Sequence, residues 1–102
     1  MKQVSYTLDD VVEINQDHPD TYPIPSAAAR NDLKKGQLVK LVFRIAQDDE
    51  VDVERMWVIV KSKSNDTYVG VLDNDPFCTD QIKSGMEVRF QSQHILQIHT
   101  SE

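Results

Sequence analysis

Two apolar runs of strand length dominate the hydrophobic pattern of the chain. Residues 54–60 read Glu-Arg-Met-Trp-Val-Ile-Val, and residues 68–72 read Tyr-Val-Gly-Val-Leu. The polar segment between them, residues 61–67, is rich in Ser, Asn, Asp and Lys, which is typical of the link in an antiparallel hairpin. We therefore expect a hairpin over residues 54–76 at the centre of a β-rich fold.

A further strand is predicted over residues 37–46. Apolar side chains occupy every second position from Val39 to Ile45, and the basic side chains of Lys40 and Arg44 stand between them. This alternation is that of a strand with one buried face. Residues 51–55 alternate again after an acidic turn, and they lead directly into the hairpin.

One sequence device occurs twice in the chain. Residues 33–41 and residues 82–90 share an aliphatic residue, Lys, any residue, Gly, two residues, Val, a basic residue and a large apolar residue. The shared glycines, Gly36 and Gly85, predict tight turns that deliver the chain into a strand, at Gly36 with a positive φ. Such a repeated corner suits a small barrel or a strongly bent sheet.

Helices are predicted only at the amino end. Thr7 is expected to cap a short amphipathic helix over residues 8–14, with a β-strand as the alternative for its second half. Residues 15–25 contain three prolines and predict an extended connector. Ser26 is expected to cap a second short helix over residues 27–30, because alanine is the strongest helix former.

These elements predict an α+β fold. It is a five-stranded antiparallel, strongly bent sheet or small SH3-like barrel, with one or two short helices at the N-terminal end. The last strand, residues 94–98, is expected to pair with the strand at residues 86–90. We expect a single domain over residues 1–102, with its core in residues 21–98 and a helix and connector in residues 1–20.

Charge and composition narrow the classes of function. The chain carries 17 Asp and Glu against 11 Lys and Arg, a formal net charge of −6. This balance disfavours nucleic-acid binding, which neutralises phosphates with Lys and Arg, and favours a protein partner with a basic surface. A basic face would still form if the two glycine turns were neighbours. Its members would be Lys34, Lys35, Lys40, Arg44, Lys83 and Arg89.

The same sequence predicts a cytoplasmic protein with no membrane partner. The apolar runs are far shorter than the roughly 20 residues that span a bilayer. Asp9 and Asp10 stand where a signal peptide would need its apolar core. A single cysteine, Cys78, is typical of a reducing compartment.

Several segments resemble a known family. They are residues 21–26, 33–43, 54–58, 68–76 and 82–90, followed by His94-Ile95. Together they are similar to the YegJ-like family of uncharacterised bacterial domains, over residues 17–98. The resemblance implies a bacterial domain of unknown function, and it brings no activity, cofactor or site residue with it. Gln37 departs from the acidic residue that the pattern has after the turn glycine.

The most chemically loaded stretch is Asp73-Asn74-Asp75. Two carboxylates and an amide could hold a divalent cation, but an EF-hand is excluded, because Cys78 stands at the position of its glycine and Ser84 at that of its glutamate. A turn, in which these side chains cap their own backbone, is favoured.

Trp57 is the second candidate. It lies on the strand face opposite Met56 and Val58, so it is predicted either to pack against other elements or to line a groove. The candidate ligand or partner site is therefore a set of five residues. They are Arg55, Trp57, Asp73, Asn74 and Asp75.

No catalytic, cofactor-binding or metal site is predicted. Cys78 lacks the local signature of a nucleophile, and His94 and His99, five positions apart in a predicted strand, fall on opposite faces. We expect a small binding module that is not an enzyme and needs no cofactor. The alternative is an immunity-type protein that neutralises a basic toxin through the acidic cluster 48–54, and an enzyme without a recognisable motif comes third.

Overall fold

The computed structural model describes residues 4–99, and the first three and last three residues of the predicted domain lie outside this range. The described chain forms six strands, two short helices and one 3₁₀ turn. The strands are β1 Val4–Leu8, β2 Leu38–Gln47, β3 Glu50–Ser64, β4 Thr67–Leu72, β5 Glu87–Phe90 and β6 Ile95–His99, the helices are α1 Val11–Asp17 and α2 Ala27–Arg30, and the 3₁₀ turn is Ser92–His94.

The sheet is antiparallel throughout, in the order β1-β2-β3-β4-β5, with β6 paired to β2. The long strand β3 changes partner along its length, since residues 50–59 pair with β2 and residues 58–64 pair with β4. β2 likewise pairs with β6 over residues 38–41 and with β1 over residues 43–47. The sheet therefore curls into a half-barrel, as the repeated glycine corners predicted.

Both glycine corners are confirmed. Gly36 and Gly85 have φ values of 94° and 98°, a region that side chains with a Cβ rarely enter. Each glycine N–H then bonds to a strand: Gly36 donates to the Val60 carbonyl at 2.8 Å, and Gly85 donates to the Leu72 carbonyl at 2.7 Å.

The predicted short helix near the amino end is present, but its start and its cap were predicted wrongly. Residues 4–8 form β1, so the sheet has six strands and not five, and Thr7 lies in a strand instead of capping a helix. The helix α1 begins after Asp10, whose Oδ1 accepts from the Glu13 N–H at 3.1 Å. Aspartate is at least as strong an N-cap as threonine, so the helix can begin after Asp10. The preceding residues, in which Val4, Tyr6 and Leu8 alternate with polar residues, pair with β2.

Two further details differ from the prediction. The strand at the carboxyl end pairs with β2 and not with β5, because the 3₁₀ turn at Ser92–His94 redirects the chain after Phe90. The polar segment 61–67 is mostly strand, since the hairpin turns only at Asn65-Asp66, with Asn65 at a φ of 56°. The second helix, capped by the Ser26 hydroxyl, is confirmed.

The core lies inside the curl of the sheet. Inward side chains alternate along the strands, and Leu33 and Ile82, which precede the two glycine corners, close the core. Its buried members are Leu33, Val39, Leu41, Phe43, Ile45, Met56, Val58, Val60, Tyr68, Leu72, Ile82, Val88, Phe90 and Ile95. None of the helices described within residues 4–99 has the length and apolar character needed to cross a bilayer.

Candidate ligand-binding cleft

A cleft of about 790 Å³ lies between the loop at residues 21–26 and strands β2, β3 and β6. Its apolar wall is formed by Tyr22, Pro23, Ile24, Pro25, Leu96 and Ile98. The strands contribute polar and basic side chains, chiefly Lys40, Arg55 and Gln97, and Asp32, which is paired with Lys34 at 2.9 Å, adds one carboxylate to the lining. Small-molecule sites in proteins have this size and this mixture of apolar walls with a few polar groups.

The loop wall of the cleft is held in place by buried and half-buried polar side chains. The Asn15 side-chain amide donates to the Tyr22 carbonyl at 2.8 Å. Arg30, only 8% exposed, donates from Nε to the Pro25 carbonyl at 3.0 Å and from Nη1 to the Ser92 carbonyl at 3.1 Å. Prolines restrict the backbone of the same loop, so the cleft is largely preformed.

Lys40 and Arg55 bring two positive charges to the cleft. Lys40 lies directly opposite Trp57 in the β2·β3 ladder, and Arg55 precedes Trp57 by two residues on the same face. Lys40 and Arg55 are therefore diagonal neighbours, and residues so placed are roughly 7–8 Å apart. The Lys40 Nζ lies 4.7 Å from the centre of the Trp57 ring, and the Arg55 Cζ lies 5.8 Å from the centre of the Tyr22 ring. Both cations therefore rest on aromatic rings.

Neither of these cations forms a salt bridge with a carboxylate of residues 4–99. Other members of the predicted basic face are already paired. The Arg44 guanidinium donates two bonds of 3.0 Å to the Asp9 carboxylate, which raise the Arg44 pKa, and Lys34 and Arg89 pair with Asp32 and Glu87. Lys40 and Arg55 are thus among the positive charges of residues 4–99 that no carboxylate neutralises and that an anion could meet.

The residues singled out from the sequence separate into two groups. Arg55 lines the cleft, and Trp57 lies beneath Lys40, half-buried, with its ring 5.9 Å from the ring of His99. The side chain of Asn74 accepts from the Trp57 N–H at 2.6 Å, and that of Asp75 accepts from the Ser84 N–H at 2.9 Å. The predicted turn is therefore not found at residues 73–75: Asn74 and Asp75 fix the loop after β4 to Trp57 and Ser84 instead of capping their own backbone, and residues 73–75 do not line the cleft.

The loop wall and Lys40 were not among the predicted site residues. The signal that could have found them is the segment Tyr22-Pro23-Ile24-Pro25. A proline-restricted segment that carries apolar side chains must lie along another surface to cover them. The sequence does not show which strand face it covers.

The sequence of the chain matches the model of a known protein family. Residues 31–99 match the model of a family described as an uncharacterized protein conserved in bacteria, DUF2314, and the match covers more than half of the chain. The chain belongs to the DUF2314 family. This agrees with the predicted bacterial domain of unknown function. No curated protein and no solved structure matches the chain.

The DUF2314 match includes some of the residues that line the cleft and not others. Strands β2 to β6, with Lys40 and Arg55, lie within the matched residues 31–99, whereas the loop wall at residues 21–26 precedes them. The charged floor of the cleft therefore belongs to the family domain. The apolar wall is shared, because Leu96 and Ile98 lie within the family match and Tyr22 to Pro25 precede it.

Cys78 is a thiol at neutral pH. Burial, a hydrogen bond with the Glu54 carboxylate and the negative charges of Glu54 and Asp52 raise its pKa to about 11. A nucleophilic cysteine requires the opposite shift. Within residues 4–99, no group of three His, Cys, Asp or Glu side chains is arranged to hold a metal ion.

Glu54, a member of the predicted acidic cluster, has a structural role. Its carboxylate accepts from the N–H groups of Phe77 and Cys78 at 3.0 to 3.1 Å. Burial alone would raise the pKa of Glu54, but the hydrogen bonds from Phe77 and Cys78 outweigh it and hold the pKa below the ordinary value. Glu54 thus fixes the loop after β4 to β3.

Proposed function

We propose that this DUF2314 protein is a small, non-catalytic binding module, and that its cleft accepts an anionic ligand with an apolar body. The observation that carries the proposal is the pair Lys40 and Arg55, two cations that line one cleft without a carboxylate partner among residues 4–99. An acidic protein that keeps two unpaired cations in a preformed cleft is suited to binding an anion there.

The chemistry of the two cations defines the ligand. The planar fork of Arg55 can donate two parallel hydrogen bonds to a carboxylate or phosphate, and Lys40 adds a point charge beside it. Tyr22 and Trp57 contact these cations through their rings, so neither positive charge is neutralised by a carboxylate of residues 4–99. The apolar body of the ligand would lie against Tyr22, Ile24 and Leu96.

Trp57 gives a direct readout, because it is the single tryptophan of the chain and lies under Lys40. The probes are benzoate and phenyl phosphate, with neutral benzamide as the uncharged control, titrated against Trp57 fluorescence. Both anions are expected to bind, with an affinity that falls as salt is added, and benzamide is expected to bind more weakly.

A matched pair of variants locates the binding. Arg55→Gln should weaken benzoate binding by about tenfold or more, the value of one charge-assisted hydrogen bond. Arg89→Gln removes the same charge from an exposed side chain outside the cleft and should leave binding unchanged. Equal binding of benzamide and benzoate, or equal effects of the two variants, would show that the cleft does not select anions through Arg55.

The immunity-type alternative would place the partner at the acidic cluster 48–54. It is supported by the exposed carboxylates of Asp49 and Glu50 at the β2–β3 turn, but Glu54 is already engaged by Phe77 and Cys78. A toxin gene beside the gene for this protein, and salt-sensitive binding of its basic product, would favour this function over ligand binding in the cleft.

We propose three further assignments for this protein: its scaffold, its subgroup and its cellular compartment. The scaffold is a small SH3-like barrel, supported by the curl of β3 between β2 and β4. The subgroup is that of the YegJ-like domains, supported by the hairpin residues 54–58 and 68–76. The compartment is the cytoplasm, supported by the unpaired thiol of Cys78.

A further inference from the structure

The amino-terminal part of β3 has a partner strand on one edge only. Residues 50–59 pair with β2, whereas pairing with β4 begins at Val58. The edge of residues 51–55 that faces away from β2 therefore lies beside no strand of residues 4–99. β3 continues past the point where β4 leaves it, and a stretch of open sheet edge results.

The backbone groups on this edge can be assigned from Trp57. The Trp57 N–H donates to Asn74 Oδ1 at 2.6 Å and its carbonyl accepts from the Asp73 N–H at 2.9 Å, both on the β4 side. Every second residue of a strand directs its N–H and C=O to the same edge. Val51, Val53 and Arg55 therefore point theirs outward, and no hydrogen bond from residues 4–99 meets them there.

The side chains along this edge alternate in character. Val51 and Val53 are 57% and 50% exposed, on the outer face of the sheet. Asp52 and Glu54 alternate with them on the inner face, where their negative charges contribute to the raised pKa of Cys78. The edge thus presents the apolar side chains of Val51 and Val53 on one face and the Asp52 carboxylate on the other, because the Glu54 carboxylate is held by Phe77 and Cys78.

We propose that this edge, Val51–Arg55, is the docking site for a strand of a partner protein in which apolar side chains alternate with Lys or Arg. Addition of a strand to an open edge supplies main-chain hydrogen bonds, and the alternating side chains supply selectivity. The apolar residues of the partner would cover Val51 and Val53. A basic residue of the partner would lie opposite Asp52, where cross-strand neighbours of opposite charge stabilise a pair, while the Glu54 carboxylate keeps its bonds from Phe77 and Cys78.

A second copy of this chain fits the edge poorly. Antiparallel self-pairing centred on Val53 places Asp52 opposite Glu54, and self-pairing centred on Asp52 places this carboxylate opposite its own copy. Like charges directly opposite each other destabilise a strand pair. The charge pattern thus selects a basic strand and disfavours a dimer through this edge.

The experiment uses a seven-residue peptide in which Val alternates with Lys, added to the full chain labelled with ¹⁵N. Amide hydrogen exchange is measured residue by residue. Bound peptide should slow exchange at Val51, Val53 and Arg55 by about tenfold or more. A peptide with Glu in place of Lys, and one of unchanged charge whose edge-facing amides are N-methylated, should both leave exchange unchanged.

Variants of the protein give an independent test. Val53→Pro removes the outward N–H without removing a bond of the β2 ladder, and it should abolish the protection, while Val53→Thr should keep it. Because proline could impair folding, Asp52→Lys provides a second variant, which should lose the Lys peptide and gain the Glu peptide.

Two results would overturn the proposal. The first is equal binding of the N-methylated peptide, which would show attraction by charge without strand pairing. The second is protection of Val51, Val53 and Arg55 without peptide in a dimer detected by sedimentation, which would identify a second copy as the occupant of this edge.

Discussion

Tyr68→Phe tests the connection between the core and the segment that carries the cleft wall. Tyr68 is fully buried, and its hydroxyl donates to the Arg30 carbonyl at 2.9 Å and accepts from the Leu33 N–H at 3.3 Å. The ring stacks on Phe90 with 5.3 Å between ring centres. Phenylalanine keeps that stacking and removes only the two hydrogen bonds.

The expected loss follows from those two bonds. A hydrogen bond contributes about 1 kcal/mol net, and more when its loss leaves a buried group without a partner, so the free energy of unfolding should fall by about 2 kcal/mol. For a domain of this size each kcal/mol lowers Tm by about 4–8 °C, which predicts a decrease of about 8–16 °C.

The assay is urea unfolding followed by Trp57 fluorescence, together with thermal unfolding followed by circular dichroism. The control is Tyr22→Phe, because the Tyr22 hydroxyl forms no hydrogen bond with the described residues 4–99. This control should change the free energy of unfolding by less than about 0.5 kcal/mol. Equal losses for the two variants, or no loss for Tyr68→Phe, would refute the role assigned to the buried hydroxyl.

Three further predictions concern packing, reactivity and pH. Gly70→Ala should cost about 1–3 kcal/mol in urea unfolding, because the added Cβ would lie 2.7 Å from a β3 carbonyl oxygen; an unchanged midpoint would contradict this packing. The Cys78 thiol should react slowly with iodoacetamide at pH 8, and Glu54→Gln should accelerate the reaction by lowering the Cys78 pKa; an equal or slower rate in the variant would disprove the electrostatic cause. Burial holds the His94 pKa below its ordinary value, against the charge of Asp10, so the unfolded chain takes up the proton first as pH falls. The free energy of unfolding should therefore be at its full value above pH 6.5, the ordinary pKa of histidine, and should fall as the pH drops below it. His94→Asn should flatten this dependence of stability on pH, measured by urea unfolding; the same slope in both proteins would contradict the assignment to His94.

The core could be predicted from the sequence because burial of one sheet face imposes a period of two on the strand residues. Val39 to Ile45 and Met56 to Val60 show this period, and their inward residues are buried, although Val42 on the opposite face of β2 is buried as well. The glycines at both corners could be predicted for an equally local reason, since a positive φ is a property of one residue.

Neither the pairing of β6 with β2 nor the position of the cleft could be predicted from such local patterns. β6 reaches β2 because a 3₁₀ turn redirects the chain. The cleft depends on contacts of the same long-range kind, between Arg55 and Tyr22 and between Lys40 and Trp57. Alternation along one strand says which face a residue occupies, and it does not say which distant loop covers that face.

Anion binding in the cleft is tested most directly by a map of amide chemical shifts for the ¹⁵N-labelled protein during titration with benzoate and, separately, with benzamide. We predict saturable changes with benzoate that concentrate at residues 21–26, Lys40 and Arg55, and much smaller changes with benzamide. Benzoate-induced changes located elsewhere in the sheet, or identical changes with the neutral amide, would contradict the assignment of this cleft as an anion-binding site.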